Sequence, residues 1–192
     1  SFEVVPATFC PSLSKAKEQS KSVACKANLK QWVAVVELYT TDNDGSFWTG
    51  YYWEDTPDTE WMAALKNYYQ SPDLRLCPSA SRRTGQSIAE PRVIAWDLTF
   101  EGKYFHAGDY GSYGANSWVT NIPSGRTVVY GGLPADYLWR KVTNVKTPSN
   151  VPVFGDCQGP IGLPLDTDPV PAYNGEYIWG PGQLGRFCMK RH

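Results

Sequence analysis

The stretch SVACKANLKQWVAVVELYTTDNDG, residues 22–45, constrains the fold more than any other part of the chain. At 100° per residue, Cys25, Leu29, Trp32, Val36 and Tyr39 fall in a sector about 80° wide, the kind of stripe a helix buries. Lys26 and Lys30 flank that stripe, with stems long enough to lie along the edge of a core. Upstream the stripe fades. Leu13, Ala16, Val23 and Ala24 are scattered around the helix, and Lys15, Lys17 and Lys21 dot it. The pattern predicts one helix over 12–42 whose back half packs on a domain and whose front half projects. TDNDG ends it, with Gly45 placed as a left-handed stop.

A chain of 192 residues suits one main domain and a core that needs no staple. The unusual counts are 8 Trp, 12 Tyr, 17 Gly and 15 Pro, which predict short strands, many loops and aromatic plugs. A net charge of −1 argues against nucleic acid as a partner, since phosphate recognition uses a basic face. Charge is nonetheless uneven. Residues 14–30 carry five lysines against Glu18, whereas residues 151–185 carry Asp156, Asp166, Asp168 and Glu176 with no Lys or Arg. Two solvated faces account for this; complementary contacts between neighbouring subunits are the sharper alternative. No apolar run approaches the roughly 18 residues that span a bilayer. SFEVVPATFC, residues 1–10, lacks the basic start and apolar core of a signal peptide.

Five cysteines, Cys10, Cys25, Cys77, Cys157 and Cys188, include no C-x-x-C pair. With only His106 and His192 beside them, the spacing argues against zinc and against a catalytic thiol. It fits an oxidising compartment with two disulfides. Cys25–Cys77 and Cys157–Cys188 are the expected pairs, although spacing does not fix connectivity. Cys10 is then a free or intermolecular thiol.

TPDTEWMAALKNYYQ predicts a second helix over 56–70, with Thr56 as cap and Pro57 at its first position. The region 74–192 reads as sheet and loop: RVIAWDLTF as a strand, EGKYFHAGDYGSYGANSWVTN as a turn-rich excursion, and SNVPVFGDC as a central strand. GLPADYLWRKVTNV reads as a short helix, and the Pro/Gly-rich stretch from Gln158 to Gly185 as an exposed loop. Trp48, Tyr51, Tyr52 and Trp53 crowd a short polar-ended stretch that cannot bury all four, so they either form an aromatic lid over the sheet or leave faces for stacking on sugars or anchoring proteins.

Enzymatic chemistry finds little support. No G-x-S-x-G or phosphate loop is present, and nothing in the spacing singles out Asp97, Glu101 and Asp109 as a hydrolytic pair. Asp42, Asn43 and Asp44 open like a calcium loop, but the twelfth position is Trp53, with Glu54 one residue late. A helix-stop turn explains them better.

The order of PSLSKAKEQSKSVACKANLKQW, LYTTDNDGSFW, LCP, YGSYGANSWV, VKTPSNVPVFGDC and the closing Arg-His resembles type IV pilin-like proteins, specifically pseudopilin-like proteins of the planctomycete type that carry a prepilin leader. The matching pieces cover most of residues 11–192. The resemblance implies an α+β pilin-like fold, a long N-terminal helix against a small antiparallel sheet. It implies an exported structural subunit of a pilus, or of a type II secretion pseudopilus, outside the cell, at its surface or in the periplasm. Its partners are itself or other pilin-like subunits, and it has no enzymatic step. Residues 1–10 form an extension, and the assembly helix carries Leu13, Lys15, Lys17, Lys21, Cys25, Leu29, Trp32 and Val36. Calcium, used by major pseudopilins in a C-terminal loop, points to Asp156, Asp166 and Asp168. Two departures stand out. The family's hydrophobic stalk and its glutamate have no counterpart, Glu3 being out of place, so membrane contact would run through a stalk this sequence lacks. Relatives also continue past the Arg-His with another strand. A secreted polysaccharide-binding module, using the Trp/Tyr loop, is the alternative.

Overall fold

Residues 11–42 satisfy their local preferences in one continuous helix. The computed structural model describes residues 11–50, 59–80, 95–97, 106–129, 132–171 and 182–188, and in it α1 runs Pro11–Asp42. Cys25, Trp32, Val35, Val36 and Thr40 are buried on one side, with Leu29 and Tyr39 half-buried. Residues 12–20 are all exposed, so the division into a packed half and a projecting half is as the stripe predicts. The helix ends where expected. Asp44 and Gly45 turn left-handed (φ 53° and 75°), and the Gly45 N–H reaches back to the Thr40 carbonyl at 2.7 Å.

The second helix is shorter than its sequence suggests. Only one α turn, α2 (Trp61–Ala64), is formed among the described residues, followed by a 3₁₀ turn over Lys66–Tyr68. Its cap is Glu60, whose carboxylate accepts from the Trp61 N–H; the expected cap Thr56 lies outside the described residues. The tightening lets the Tyr69 hydroxyl turn back and donate to the Met62 carbonyl (3.0 Å) while accepting from Arg75 Nε (3.0 Å) and Nη2 (2.8 Å). Arg75, in a further 3₁₀ turn (Pro72–Arg75), also pairs with Asp109 at 2.6 Å. The segment that follows is bolted along α1. Trp32 Nε1 donates to the Leu74 carbonyl (3.1 Å) and Asn28 Nδ2 to the Leu76 carbonyl (3.0 Å).

Two small sheets complete the α+β architecture. β1 (Trp96–Asp97) pairs antiparallel with β2 (Tyr110–Gly111). A three-stranded sheet has the order β4-β3-β5, with β3 Tyr113–Asn116, β4 Phe154–Asp156 and β5 Ile161–Gly162. It is mixed, not antiparallel as expected, because β5 runs parallel to β3. The central strand is also a different one: β4, from SNVPVFGDC, lies at the edge, and GDYGSYGAN supplies the centre. Its glycines make the close approach possible. A Cβ on Gly114 would stand 2.5 Å from the Gly159 carbonyl oxygen and 2.7 Å from Cys157 Cβ. The Pro/Gly-rich stretch is likewise not all surface, since Cys157 through Leu163 is buried. GLPADYLWRKVTNV forms two 3₁₀ turns, Ala135–Tyr137 and Val142–Asn144, in place of one helix.

The register gives the three-stranded sheet two distinct faces. Tyr113 opposes Asp156 and Ala115 opposes Phe154, which puts these four on one face. Trp32 of α1 packs there, 5.2 Å from the Trp61 ring, 4.9 Å from Phe154 and 5.1 Å from Tyr69. Gly114, Gly155 and Cys157 face the other way, and the Phe187 ring fills the space that a Cβ on Gly155 or Gly162 would enter.

Candidate functional site

Two features could carry function: the long helix with its surroundings, and a cluster of polar groups where helix and sheet meet. On the helix, the expected assembly residues divide by environment. Leu13 is 72% exposed, and Lys15 and Lys17 are exposed too, whereas Lys21 pairs with Glu18 at 2.9 Å. Cys25, Trp32 and Val36 are buried in the domain's own core, with Leu29 at its edge, so their first role is to hold the helix.

A second stripe runs down the outer side of α1, and the sequence reading passed over it. Ala16, Val23, Ala27, Ala34 and Leu38 recur at helical spacing opposite the packed stripe, and all are exposed, Val23 at 68% and Leu38 at 57%. Beside the helix lies an apolar groove of about 600 Å³, whose walls include Val33, Val36, Phe47, Val145 and Phe154. Val33 and Glu37 belong to α1, so the helix supplies one wall of the groove while its outward stripe lies apart from it.

The polar cluster joins three distant parts of the chain. Cys25 of α1, Cys77 and Asp156 of β4 bring their two sulfurs and a carboxylate oxygen within 4.8 Å of one another. Local structure aims each of them. The helical stripe points Cys25 inward. Cys77 follows the segment bolted to α1, its N–H donating to Ser112 Oγ at 2.6 Å. Asp156 sits opposite Tyr113 on the helix-facing side of the sheet. The Tyr113 hydroxyl donates to Cys25 Sγ (3.0 Å), the Cys25 thiol donates to Asp156 Oδ2 (3.6 Å), and the Ser79 N–H donates to Cys77 Sγ (3.4 Å). Cys25 and Cys77 are each 1% exposed and Tyr113 is fully buried. The contact with the Cys77 sulfur, then burial, pushes the Cys25 thiol far above its ordinary range. Burial first, then the bond to Cys25, pushes Tyr113 up as well.

The other expected site residues are placed differently. Trp48 is buried, stacked on Phe154 and edge-on to Tyr39, so it offers no face to a sugar. Its cover comes from Phe154 of β4, a hundred residues away, as the lid reading of this stretch has it. Tyr51, Tyr52, Trp53 and Cys10 lie outside the described residues. Asp156, Asp166 and Asp168 are not drawn into one group. Asp168 Oδ2 instead accepts from the N–H groups of Leu165 (2.9 Å) and Leu184 (2.8 Å), closing the base of the long loop, while Asp156 faces the thiols. Among the cysteines, the structure records Cys25, Cys77, Cys157 and Cys188 as buried thiols. Cys157 pairs across a bridge with Phe187, and the Cys188 N–H donates to the Asp156 carbonyl. That register turns the Cys157 and Cys188 side chains to opposite faces, against the geometry a disulfide between them needs. Asp109, weighed as a hydrolytic carboxylate, is held by Arg75.

No model of a known protein family, no curated protein and no solved structure matches the chain. What stands is an α+β protein with one long, half-engaged helix on a small mixed sheet, described on its own geometry.

Proposed function

We propose that the chain is the head of a pilin-like or pseudopilin-like subunit, exported to the periplasm or cell surface and working by self-assembly without a chemical step. The observation that carries this reading is the 32-residue α1, which is engaged by its own domain only from about Cys25 onward. The nine exposed residues 12–20 extend about 13 Å at helical rise, with little apolar surface to hold them against the head. A helix of that kind is stable when a neighbour supplies the missing packing.

The two apolar surfaces on α1 support the same reading. An outward stripe through Val23 and Leu38, and a separate groove along Val33 and Phe154, are different patches on one molecule. Contacts between unlike patches are head-to-tail, and they propagate into open filaments when the rotation does not close. Helix 13–39 would then lie along the filament axis, with the lysines of its front half near the acidic later part of a neighbour.

Electron microscopy of the native material tests this. Ordered filaments whose helical repeat accommodates the domain are the expected result. They should vanish in a Val23→Glu, Leu38→Glu double variant that keeps the parent melting temperature. Monodisperse particles throughout, from native and recombinant sources alike, would sink the reading.

A further inference from the structure

We propose that Cys25, Cys77 and Asp156 form a binding site for a thiophilic divalent cation, Zn²⁺ being the fitting one, that clamps α1 to the sheet. The site does not depend on filament formation; it requires that Cys25 and Cys77 stay the thiols the structure records. Sequence spacing argued against zinc because it sought ligands close together in the chain; here they come from positions 25, 77 and 156.

The geometry suits one ion. A tetrahedral centre with Zn–S near 2.3 Å and Zn–O near 2.1 Å sets neighbouring S and O ligands about 3.6 Å apart and two sulfurs about 3.8 Å apart. Cys25 Sγ and Asp156 Oδ2 stand at 3.6 Å, and all three ligand atoms lie within 4.8 Å. Two outer groups already address the sulfurs. The Tyr113 hydroxyl donates to Cys25 and the Ser79 N–H to Cys77, which is how ligating thiolates are oriented and their charge spread. Binding releases the two thiol protons and sets two thiolates and one carboxylate around the cation, with a water molecule as the fourth ligand, a net charge of −1 on the site. A disulfide would use the two sulfurs and give the carboxylate no part in the bond. The presence of Asp156 in the cluster therefore favours the cation.

The test uses Co²⁺ as a spectroscopic probe on the full chain, purified in reductant. One equivalent should produce a thiolate-to-cobalt charge-transfer band with visible bands of tetrahedral intensity, and Zn²⁺ should displace them. Cys25→Ser and Cys77→Ser should abolish the signal. Asp156→Asn, which keeps size and shape, should weaken binding by about tenfold or more. Cys188→Ser should leave it unchanged, since Cys188 is not among the three. Folding of every variant is checked by far-ultraviolet circular dichroism. Three results would each overturn the site: no tetrahedral spectrum, an Asp156→Asn chain that binds Co²⁺ as tightly as the parent, or a Cys25–Cys77 disulfide in material from the native source.

Discussion

Replacing Trp32 with alanine tests whether the back half of α1 is the anchor of the whole domain. Trp32 is 1% exposed and touches the rings of Trp61, Tyr69 and Phe154, while its indole N–H satisfies the Leu74 carbonyl. Burying an indole and then deleting it costs about 3–5 kcal/mol in a core that cannot collapse around the void. Around Trp32 collapse is resisted, because its neighbours are rigid rings fixed by bonds of their own, as Trp61 is by the Pro160 carbonyl (2.7 Å). The expected loss is thus about 4 kcal/mol, or roughly 8–16 °C in melting temperature for a chain of this size. Trp32→Phe keeps most of the packing and gives up the hydrogen bond, for about 1–2 kcal/mol. Leu13→Ala, on the projecting half of the same helix, should change stability by less than about 0.5 kcal/mol. Urea unfolding followed by circular dichroism, in reductant and without added metal, measures all three. A Trp32→Ala loss under about 1.5 kcal/mol with an unchanged denaturant slope would refute the argument that α1 is held at this aromatic cluster.

Two further outcomes follow from the same packing. Gly114→Ala should destabilise the chain by about 3 kcal/mol in the same assay, because the new methyl group would sit 2.8 Å from Cys157 Sγ and against the Gly159 backbone. A neutral result would mean that the Cys157–Gly159 segment can move away from β3 at little cost. Stability should also fall on the alkaline side. Cys25 (ordinary value 9.0) and Tyr113, Tyr69 and Tyr39 (ordinary value 10.0) are all raised in the folded chain, Cys25 chiefly by its contact with Cys77 and the phenols chiefly by burial. Their folded forms hold protons that the unfolded chain gives up first. Their contribution is therefore intact below about pH 9 and is lost as pH rises beyond it, Cys25 first and the tyrosines later. Denaturant midpoints that stay level to about pH 11 would contradict this.

How far the sequence reaches can be seen in α1 and the sheet. Helical period depends on residues three and four apart, so the buried stripe, the fading front half and the left-handed stop at Gly45 were all legible from 12–45 alone. The sheet was not. Its central strand is written in glycine and tyrosine, which locally spell turns. Those glycines are there because other segments come close, Cys157 and the Gly159 carbonyl against Gly114 and the Trp96 ring against Gly111. Which reading held for Trp48 was undecided for the same kind of reason, as its cover is Phe154.

The cluster at Cys25 marks the boundary most clearly. The sequence by itself determined that Cys25 points inward from a helix, since that follows from its place in the stripe. It supplied no reason to join Asp156 to it, and it favoured a Cys157–Cys188 link that alternation along the bridge then set on opposite faces. Only the tertiary structure brought two thiols and a carboxylate together, because strand register and the run of 74–77 along α1 decide which distant side chains share a space. Local periodicity acts within a turn or two of chain; convergence of residues 25, 77 and 156 is a property of how whole elements pack.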